Sequence, residues 1–173
     1  DRKKILIMGL DNSGKSTILL TLVGVKNLPA FCQLRPSRGS DIKDFQLEDK
    51  TFNIWDLGGQ ESYREKYLEE FNKHFHGTNK IIFVIDIQDI GRYDQALDYL
   101  EKIVKLVIRI GNPVDFSIFL HKHDPDLEKR DINVSQENIN ELIEKIEVIM
   151  PDSMAYLVHK TTVYPVFEKS VVI

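Results

Sequence analysis

The stretch Gly9-Leu10-Asp11-Asn12-Ser13-Gly14-Lys15-Ser16 decides how the rest of the chain is interpreted. It matches the pattern G-x-x-x-x-G-K-[ST], in which two glycines let backbone N–H groups close around phosphate oxygens. An apolar run predicts a buried strand over 4–8, and the residues after the motif predict a helix over 16–22. The motif requires this order, because the helix N-terminus adds partial positive charge beside the phosphates. The stretch therefore predicts a phosphate-binding loop.

The residues of this loop have different predicted roles. Lys15 is expected to reach the β- and γ-phosphates and to assist their chemistry, and Ser16 to bind Mg²⁺ through its hydroxyl. A chance match is the alternative, but a chain of this length shows the pattern by accident only about once in a hundred. The remaining residues expected to contact a nucleotide here are Asp11, Asn12, Ser13, Gly14 and Thr17.

Apolar runs and helical periods alternate along the whole chain. Strands are predicted over 4–8, 42–47, 51–55, 80–86, 116–120 and 155–158. Helices are predicted over 16–22, 62–75, 94–110 and 135–150, with a short final helix after the last strand. This alternation predicts an α/β fold with an open sheet of about six strands, mainly parallel with one antiparallel strand, and helices on both faces. No linker or repeat divides the chain, so residues 1–173 are expected to form a single domain.

The composition argues against several classes of protein. A net charge of -4 is unsuited to a nucleic-acid-binding protein held by phosphate contacts. The single cysteine, Cys32, excludes an intrachain disulfide, and no apolar run approaches the roughly 18 residues of a transmembrane segment. We expect a cytoplasmic protein, and peripheral attachment to a membrane through a partner or a terminus stays open.

A second group of candidate residues, Asp56-Leu57-Gly58-Gly59-Gln60, comes after a predicted strand. Ligands of such sheets bind at the carboxyl ends of the strands, so this loop should face the phosphate loop. Asp56 is expected to hold Mg²⁺ through a water, opposite Ser16, and Gly59 to bring its N–H to the γ-phosphate. Gln60 is expected to orient the attacking water. Taken alone, the run is also typical of an ordinary turn.

The loop His121-Lys122-His123-Asp124 closes another buried strand. The Asp124 carboxylate can accept two hydrogen bonds from the edge of guanine, and adenine lacks that pair of donors. The stem of Lys122 can lie flat over the base. Two histidines and an aspartate also suggest a metal site, which the position of the loop disfavours.

These three loops, in this order, resemble the guanine-nucleotide-binding domain of the Ras superfamily, a P-loop G domain, over essentially the whole chain. Residues 9–15 and 55–60 look like the Arf and Arf-like branch. His121, where that branch has asparagine, and the stretch Thr161-Thr-Val-Tyr-Pro-Val-Phe look like the Rag/Gtr branch. The chain is identified as a Rag-like, or Arf/Rag-intermediate, small GTPase.

The resemblance implies a molecular switch that binds GTP or GDP with Mg²⁺ and, as a small monomeric GTPase, hydrolyses GTP slowly, with Gln60 and Lys15 as its catalytic residues. It places Ser37 on Mg²⁺ in the GTP state, and Thr161 and Thr162 near guanine O6. The implied partners are a GTPase-activating protein, an exchange factor and effectors, all acting through switch regions near 35–41 and 57–67. Homo- and heterodimers stay open.

Two rival functions stay open beside the switch. One is a scaffold that holds GTP or GDP with little or no turnover. The other is a P-loop kinase or ATPase, which would need an arginine-rich lid that the sequence does not show. In addition, His121 can donate and accept hydrogen bonds together only while neutral, so nucleotide affinity is predicted to weaken below about pH 6.5.

Overall fold

The computed structural model describes residues 2–24, 30, 33–35, 37–47, 49–127 and 134–164. Within these ranges the strands are β1 (Arg2–Gly9), β2 (Ser40–Leu47), β3 (Lys50–Leu57), β4 (Thr78–Asp86), β5 (Asp115–His121) and β6 (Tyr156–Lys160). The helices are α1 (Lys15–Leu22), α2 (Glu61–Glu69), α3 (Phe71–Phe75), α4 (Tyr93–Ile110) and α5 (Gln136–Ile149), with a 3₁₀ turn, Ile90–Arg92, before α4. The predicted final helix, Cys32 and Pro36 lie outside the described residues.

The strands form one sheet in the order β2-β3-β1-β4-β5-β6. β2 pairs with β3 in antiparallel orientation, and every other neighbouring pair is parallel. The predicted six-stranded, mainly parallel sheet with one antiparallel strand is confirmed. Because β1, β3, β4, β5 and β6 run in one direction, their carboxyl ends share one edge, and the three candidate loops meet there.

Both faces of the sheet are covered by helices, as predicted. Successive side chains of a strand point to opposite faces. Leu6 and Met8 of β1 therefore belong to the larger core, which includes buried residues of α2 to α5. Ile5 and Ile7 belong to a smaller core with residues of α1. Burial of such a side chain contributes about 1.5–3 kcal/mol, so β1 holds the phosphate loop on a rigid base.

The helix boundaries agree with local signals, with one exception. Ser135 caps α5 and accepts a hydrogen bond from the Asn138 N–H, as expected for a helix that begins after it. α4 ends at Ile110 and is followed by Gly111, which has a left-handed backbone and donates its N–H to the Val107 carbonyl. The single helix predicted over 62–75 is wrong, because the backbone breaks at Glu70 into α2 and α3.

Candidate functional site

A cleft of about 280 Å³ opens at the carboxyl edge of the sheet, beside the phosphate loop. It also borders Leu34 and Arg35, on the segment before β2. The other predicted site residues do not contribute to its wall in the part of the chain that the structure describes; they are Ser13, Asp56, Gln60, His121, Asp124, Thr161 and Thr162. The predicted site residues that line the cleft are Asp11, Asn12, Gly14, Lys15, Ser16, Thr17, Ser37, Gly59 and Lys122.

Gly14 sits at the turn from the phosphate loop into α1. Its φ of 94° is in the left-handed region, which side chains other than glycine rarely adopt. A Cβ atom added there would lie 2.5 Å from Cδ2 of His121. The position therefore needs glycine both for its backbone conformation and for the imidazole packed against it. The preceding residue, Ser13, is buried beneath the loop, and its hydroxyl has no hydrogen-bond partner among the described residues.

Lys15 begins α1 and points back into the loop. Its ammonium group donates a hydrogen bond of 2.7 Å to the Leu10 carbonyl, and the residue is only 5% exposed. Burial lowers the pKa of Lys15 to about 8, while the carboxylates of Asp56 and Asp11 act in the opposite direction. An anion in the cleft would favour the charged form further, because an opposite charge stabilises a buried ammonium.

Three oxygen-bearing side chains meet at one end of the cleft. The Ser16 hydroxyl lies 2.5 Å from Oδ2 of Asp56 and 2.9 Å from the Ser37 hydroxyl, and Ser37 lies 3.2 Å from the same carboxylate oxygen. Asp56 is fully buried, and its Oδ1 has no hydrogen-bond partner among the described residues. A buried carboxylate beside two hydroxyls is a donor set suited to Mg²⁺, which takes oxygen ligands. The residues present fit that ion.

The alternative metal site at His121, His123 and Asp124 finds no support. Among the described residues, no group of three or more histidine, cysteine, aspartate or glutamate side chains is arranged to hold a metal ion.

The peptide of Gly59 rests directly on the phosphate loop. Its carbonyl accepts a hydrogen bond of 3.0 Å from the Asp11 N–H and another of 3.0 Å from Nε of Arg64. A Cβ atom on Gly59 would lie 2.2 Å from the Asp11 nitrogen, so only glycine allows this approach. Gln60 comes next in extended conformation and occupies the N-cap position of α2. The loop after β3 is therefore in contact with the phosphate loop, as its position predicted.

Lys122 connects the loop His121-Lys122-His123-Asp124, called the base loop because the sequence predicts that it binds a base, to the phosphate loop. Its ammonium group lies 2.8 Å from the Asn12 carbonyl and 2.5 Å from Oδ2 of Asp86, at the end of β4. Its backbone has a φ of 63°, unusual for a residue with a side chain. The stem of Lys122 thus runs across the end of the cleft, where the sequence predicts a base.

The Asp124 carboxylate is oriented by two neighbours. Thr162 donates a hydrogen bond of 2.6 Å to Oδ1, and Gln88 donates one of 3.1 Å to Oδ2. Thr161 similarly lies 2.9 Å from Nδ1 of His121. Both threonine hydroxyls therefore hold the base loop itself, and the predicted contact with guanine O6 stays a prediction.

The model of the ADP-ribosylation factor family matches residues 1–164 of this chain. The chain belongs to that family. The ADP-ribosylation factor-like protein 2 of Dictyostelium discoideum is 34% identical over 126 residues, covering 71% of this chain and 61% of the relative. The protein of the same name from Arabidopsis thaliana is 34% identical over 102 residues, covering 59% of this chain and 51% of the relative. The aligned part thus spans about half to three fifths of these relatives.

Solved structures share the fold of this ADP-ribosylation factor family member. The Arl6 BBS3 small GTPase from Trypanosoma brucei, with the bound nucleotide analogue GppNp, has a TM-score of 0.70 and 18% identity, over 94% of this chain and 87% of that one. The mammalian SRP receptor structure has a TM-score of 0.72 and 15% identity, over 92% and 91%. At these identities the likeness concerns the fold.

His121 is where this family member departs from the asparagine of the Arf-like pattern. The residue is 3% exposed. Burial, with a further contribution from the Lys122 charge, lowers the pKa of His121 to about 4, although Asp86 and Asp124 act in the opposite direction. This lowered pKa disagrees with the predicted loss of nucleotide affinity below about pH 6.5, because it moves the protonation on which that prediction depends toward pH 4. The imidazole stays neutral until the pH approaches 4.

Three residues of the site were missed at the level of sequence. Arg64 on α2 binds the Gly59 carbonyl and stacks 5.3 Å from the ring centroid of Tyr99. Gln88 contacts both the Lys122 carbonyl and Asp124. Arg92, from the 3₁₀ turn, binds Asp11. Gln88 and Arg92 follow the carboxyl end of β4. Ligands of such sheets bind at the carboxyl ends of the strands, so this position in the sequence could have identified both residues.

Among the described residues, none of the helices combines the length and the apolar character needed to cross a bilayer.

Proposed function

We propose that this protein is a guanine-nucleotide-dependent molecular switch that binds GTP or GDP with Mg²⁺ and slowly hydrolyses GTP to GDP. Membership of the ADP-ribosylation factor family supports the proposal, as does a fold shared with a small GTPase that was solved with GppNp. The observation that carries it is the convergence of Ser16, Ser37 and Asp56, whose carboxylate is fully buried.

In the proposed mechanism, the chain supplies charge and position rather than a covalent intermediate. The Lys15 ammonium and the N–H groups of the phosphate loop stabilise negative charge on the transferring phosphoryl group. Mg²⁺, when bound, would neutralise charge on the phosphates. Gln60 orients the water that attacks. Hydrolysis is slow without a partner, because an arginine supplied by an activating protein accounts for a factor of roughly 10³–10⁵.

The proposed readout is a change in two segments, near 35–41 and 57–67. They are already joined, since the Gly58 N–H donates a hydrogen bond of 3.0 Å to the Gly39 carbonyl. Ser37, in the first segment, donates a hydrogen bond of 3.2 Å to Asp56, so this segment would respond to an ion and a phosphate bound there. We propose that an activating protein, an exchange factor and effectors act on these segments. The same proposal includes a cytoplasmic location, peripheral attachment to a membrane, and dimers of this chain with itself or with a related chain.

We further propose that residues 1–173 form one domain and that it combines Arf-like and Rag-like features. The continuous sheet from Arg2 to Lys160 supports a single domain. His121 supports the Rag-like element, because a histidine stands where the Arf-like pattern has asparagine, and its Nδ1 lies 2.9 Å from the Thr161 hydroxyl.

The first experiment identifies the nucleotide. The purified protein is denatured and the released nucleotide is separated by chromatography, before and after incubation with GTP and Mg²⁺. Slow conversion of GTP to GDP is the expected result. Adenine nucleotide would overturn the guanine assignment, and so would the absence of any nucleotide. Gln60→Leu should keep nucleotide binding and lower turnover by about tenfold or more, because only the orientation of water is lost.

The metal assignment is tested with Asp56→Asn. The change removes the carboxylate that clusters with Ser16 and Ser37. The factor by which Mg²⁺ raises the nucleotide affinity should therefore fall by at least about tenfold. Titration of Mg²⁺ against a fluorescent GDP measures this. Asp98→Asn, on the exposed side of α4, is the matched control. An unchanged Mg²⁺ dependence in Asp56→Asn would contradict the assignment.

A scaffold with bound GTP or GDP and little turnover is the second candidate. It is favoured by one observation: Gln60 does not contribute to the wall of the cleft. Intact GTP recovered after long incubation with Mg²⁺, and equal in the wild type and Gln60→Leu, would support the scaffold over the switch.

A further inference from the structure

Arg92 connects the 3₁₀ turn after β4 to the phosphate loop. Its Nη1 lies 2.9 Å from Oδ1 of Asp11, its Nη2 lies 3.1 Å from the Asp11 carbonyl, and its Nε lies 2.6 Å from Asp89. The side chains of Arg92 and Asp11 are 31% and 32% exposed, so the pair is only partly screened by solvent. A planar guanidinium with several fixed donors can make all three contacts at once.

Asp11 has a position in which its charge matters. It lines the nucleotide cleft together with Lys15, and its carboxylate partly opposes the lowering of the Lys15 pKa by burial. It also lines a second, much smaller cavity of about 10 Å³ shared with Asp89 and Arg92. The carboxylate thus lies at the boundary between the cleft and α4. Arg92 holds it on the α4 side and balances its charge.

A carboxylate released toward the cleft would act against the ligand in two ways. It would repel phosphate oxygens, and it would compete with them for the Lys15 ammonium. Both effects are larger for a triphosphate than for a diphosphate, because the additional phosphoryl group brings additional negative charge. Resting on the proposed function, we infer that Arg92 is a positioning residue that sets the preference of the site for GTP over GDP by restraining Asp11.

The test is a double-mutant cycle on the whole chain. Affinities for GDP and for a GTP analogue that is not hydrolysed are measured by competition at fixed Mg²⁺. Arg92→Ala should lower the ratio of triphosphate to diphosphate affinity by about tenfold, the effect of one partly solvated unit charge. In an Asp11→Asn background, Arg92→Ala should alter the ratio by less than about twofold, because the Asp11 carboxylate that it would release is no longer there.

Two further variants separate positioning from general loss of structure. Asp89→Asn keeps an acceptor for Nε of Arg92 and leaves Asp11 bound, so the ratio should stay within about twofold of the wild type. Arg92→Lys keeps the charge without the planar fork, and the ratio should fall by less than about threefold. If Arg92→Lys lowers the ratio as far as Arg92→Ala does, the charge argument is overturned.

The outcomes distinguish this inference from the proposed function. Equal weakening of both nucleotides by Arg92→Ala would overturn the inference, and so would a ratio that Asp11→Asn fails to restore. In either case the wild type still binds guanine nucleotides. Wild-type protein that binds neither nucleotide would instead overturn the proposed function, and the inference with it.

Discussion

Protonation of His121 gives a prediction that depends on burial. The ordinary pKa of the imidazole is 6.5, and in the folded protein it is lowered to about 4. Between these values the unfolded chain binds a proton that the folded chain does not, so stability rises with pH across this window. The contribution is complete above pH 6.5 and is lost as the pH falls toward 4. At about 1.4 kcal/mol per pH unit, lowering the pH from about 7 to about 5 should cost about 2 kcal/mol.

The assay compares wild type with His121→Asn. Urea unfolding is measured at several pH values between about 5 and 7, at fixed concentrations of GDP and Mg²⁺, because a bound ligand itself stabilises the folded state. Asparagine can still accept or donate a hydrogen bond to Thr161 but does not titrate. The free energy of unfolding of the wild type should therefore fall by about 2 kcal/mol more than that of the variant.

The difference between the two proteins isolates the histidine from the carboxylates, which titrate in both. His159→Asn, at a histidine whose ring packs edge-on against Phe119, is measured beside it as a control for the substitution itself. Parallel stability profiles for wild type and His121→Asn would refute the reasoning, because they would mean that the buried imidazole titrates like a solvated one.

Two further predictions concern the loops around the cleft. Gly14→Ala should destabilise the protein by about 2 kcal/mol or more, because the new methyl meets His121 at 2.5 Å. Gly111→Ala is the control. It should cost only about 1 kcal/mol, because its φ is positive but the added Cβ meets no atom within 4 Å. Thermal unfolding measures both, and equal losses would contradict the packing argument. Thr162→Val removes one of the hydrogen bonds that orient Asp124, so the preference for GTP over ATP should fall by about tenfold. Competition between the two nucleotides measures it, and an unchanged preference would show that Asp124 needs no such support.

The fold was accessible from the sequence because its signals are local. A continuous apolar run such as residues 81–85 indicates a strand buried on both faces, and the glycine–lysine pattern of residues 9–16 indicates a phosphate loop that leads into a helix. The break at Glu70 was not accessible, since no glycine or proline marks it and Phe71 and Phe75 continue an apolar helical spacing. The break at Glu70 instead goes with the packing of α3, whose residues Phe71 and Phe75 belong to the larger core.

The sequence could predict which loops form the site. It could not predict the side-chain contacts between those loops. Its motif residues gather as the strand order requires. The contact of Arg92 with Asp11 joins positions 81 residues apart in the chain, and no local pattern indicates it. The pKa of His121 depends on burial under the finished structure, which composition does not give. The roles of Thr161 and Thr162 likewise depend on which neighbours the fold brings to them.

Two contacts of the loop after β3 are weaker than the contact that fixes Lys122, and this difference suits a switch. At the base end, Lys122 forms a charge-assisted contact with Asp86. At the phosphate end, the contact between Gly58 and Gly39 and that between Asp11 and Gly59 are single backbone hydrogen bonds. A neutral bond contributes about 1 kcal/mol and one to a charged group about 1.5–3 kcal/mol, so the two backbone bonds are easier to break than the contact of Lys122 with Asp86. Exchange of one phosphoryl group should therefore rearrange the glycine contacts and leave base recognition intact.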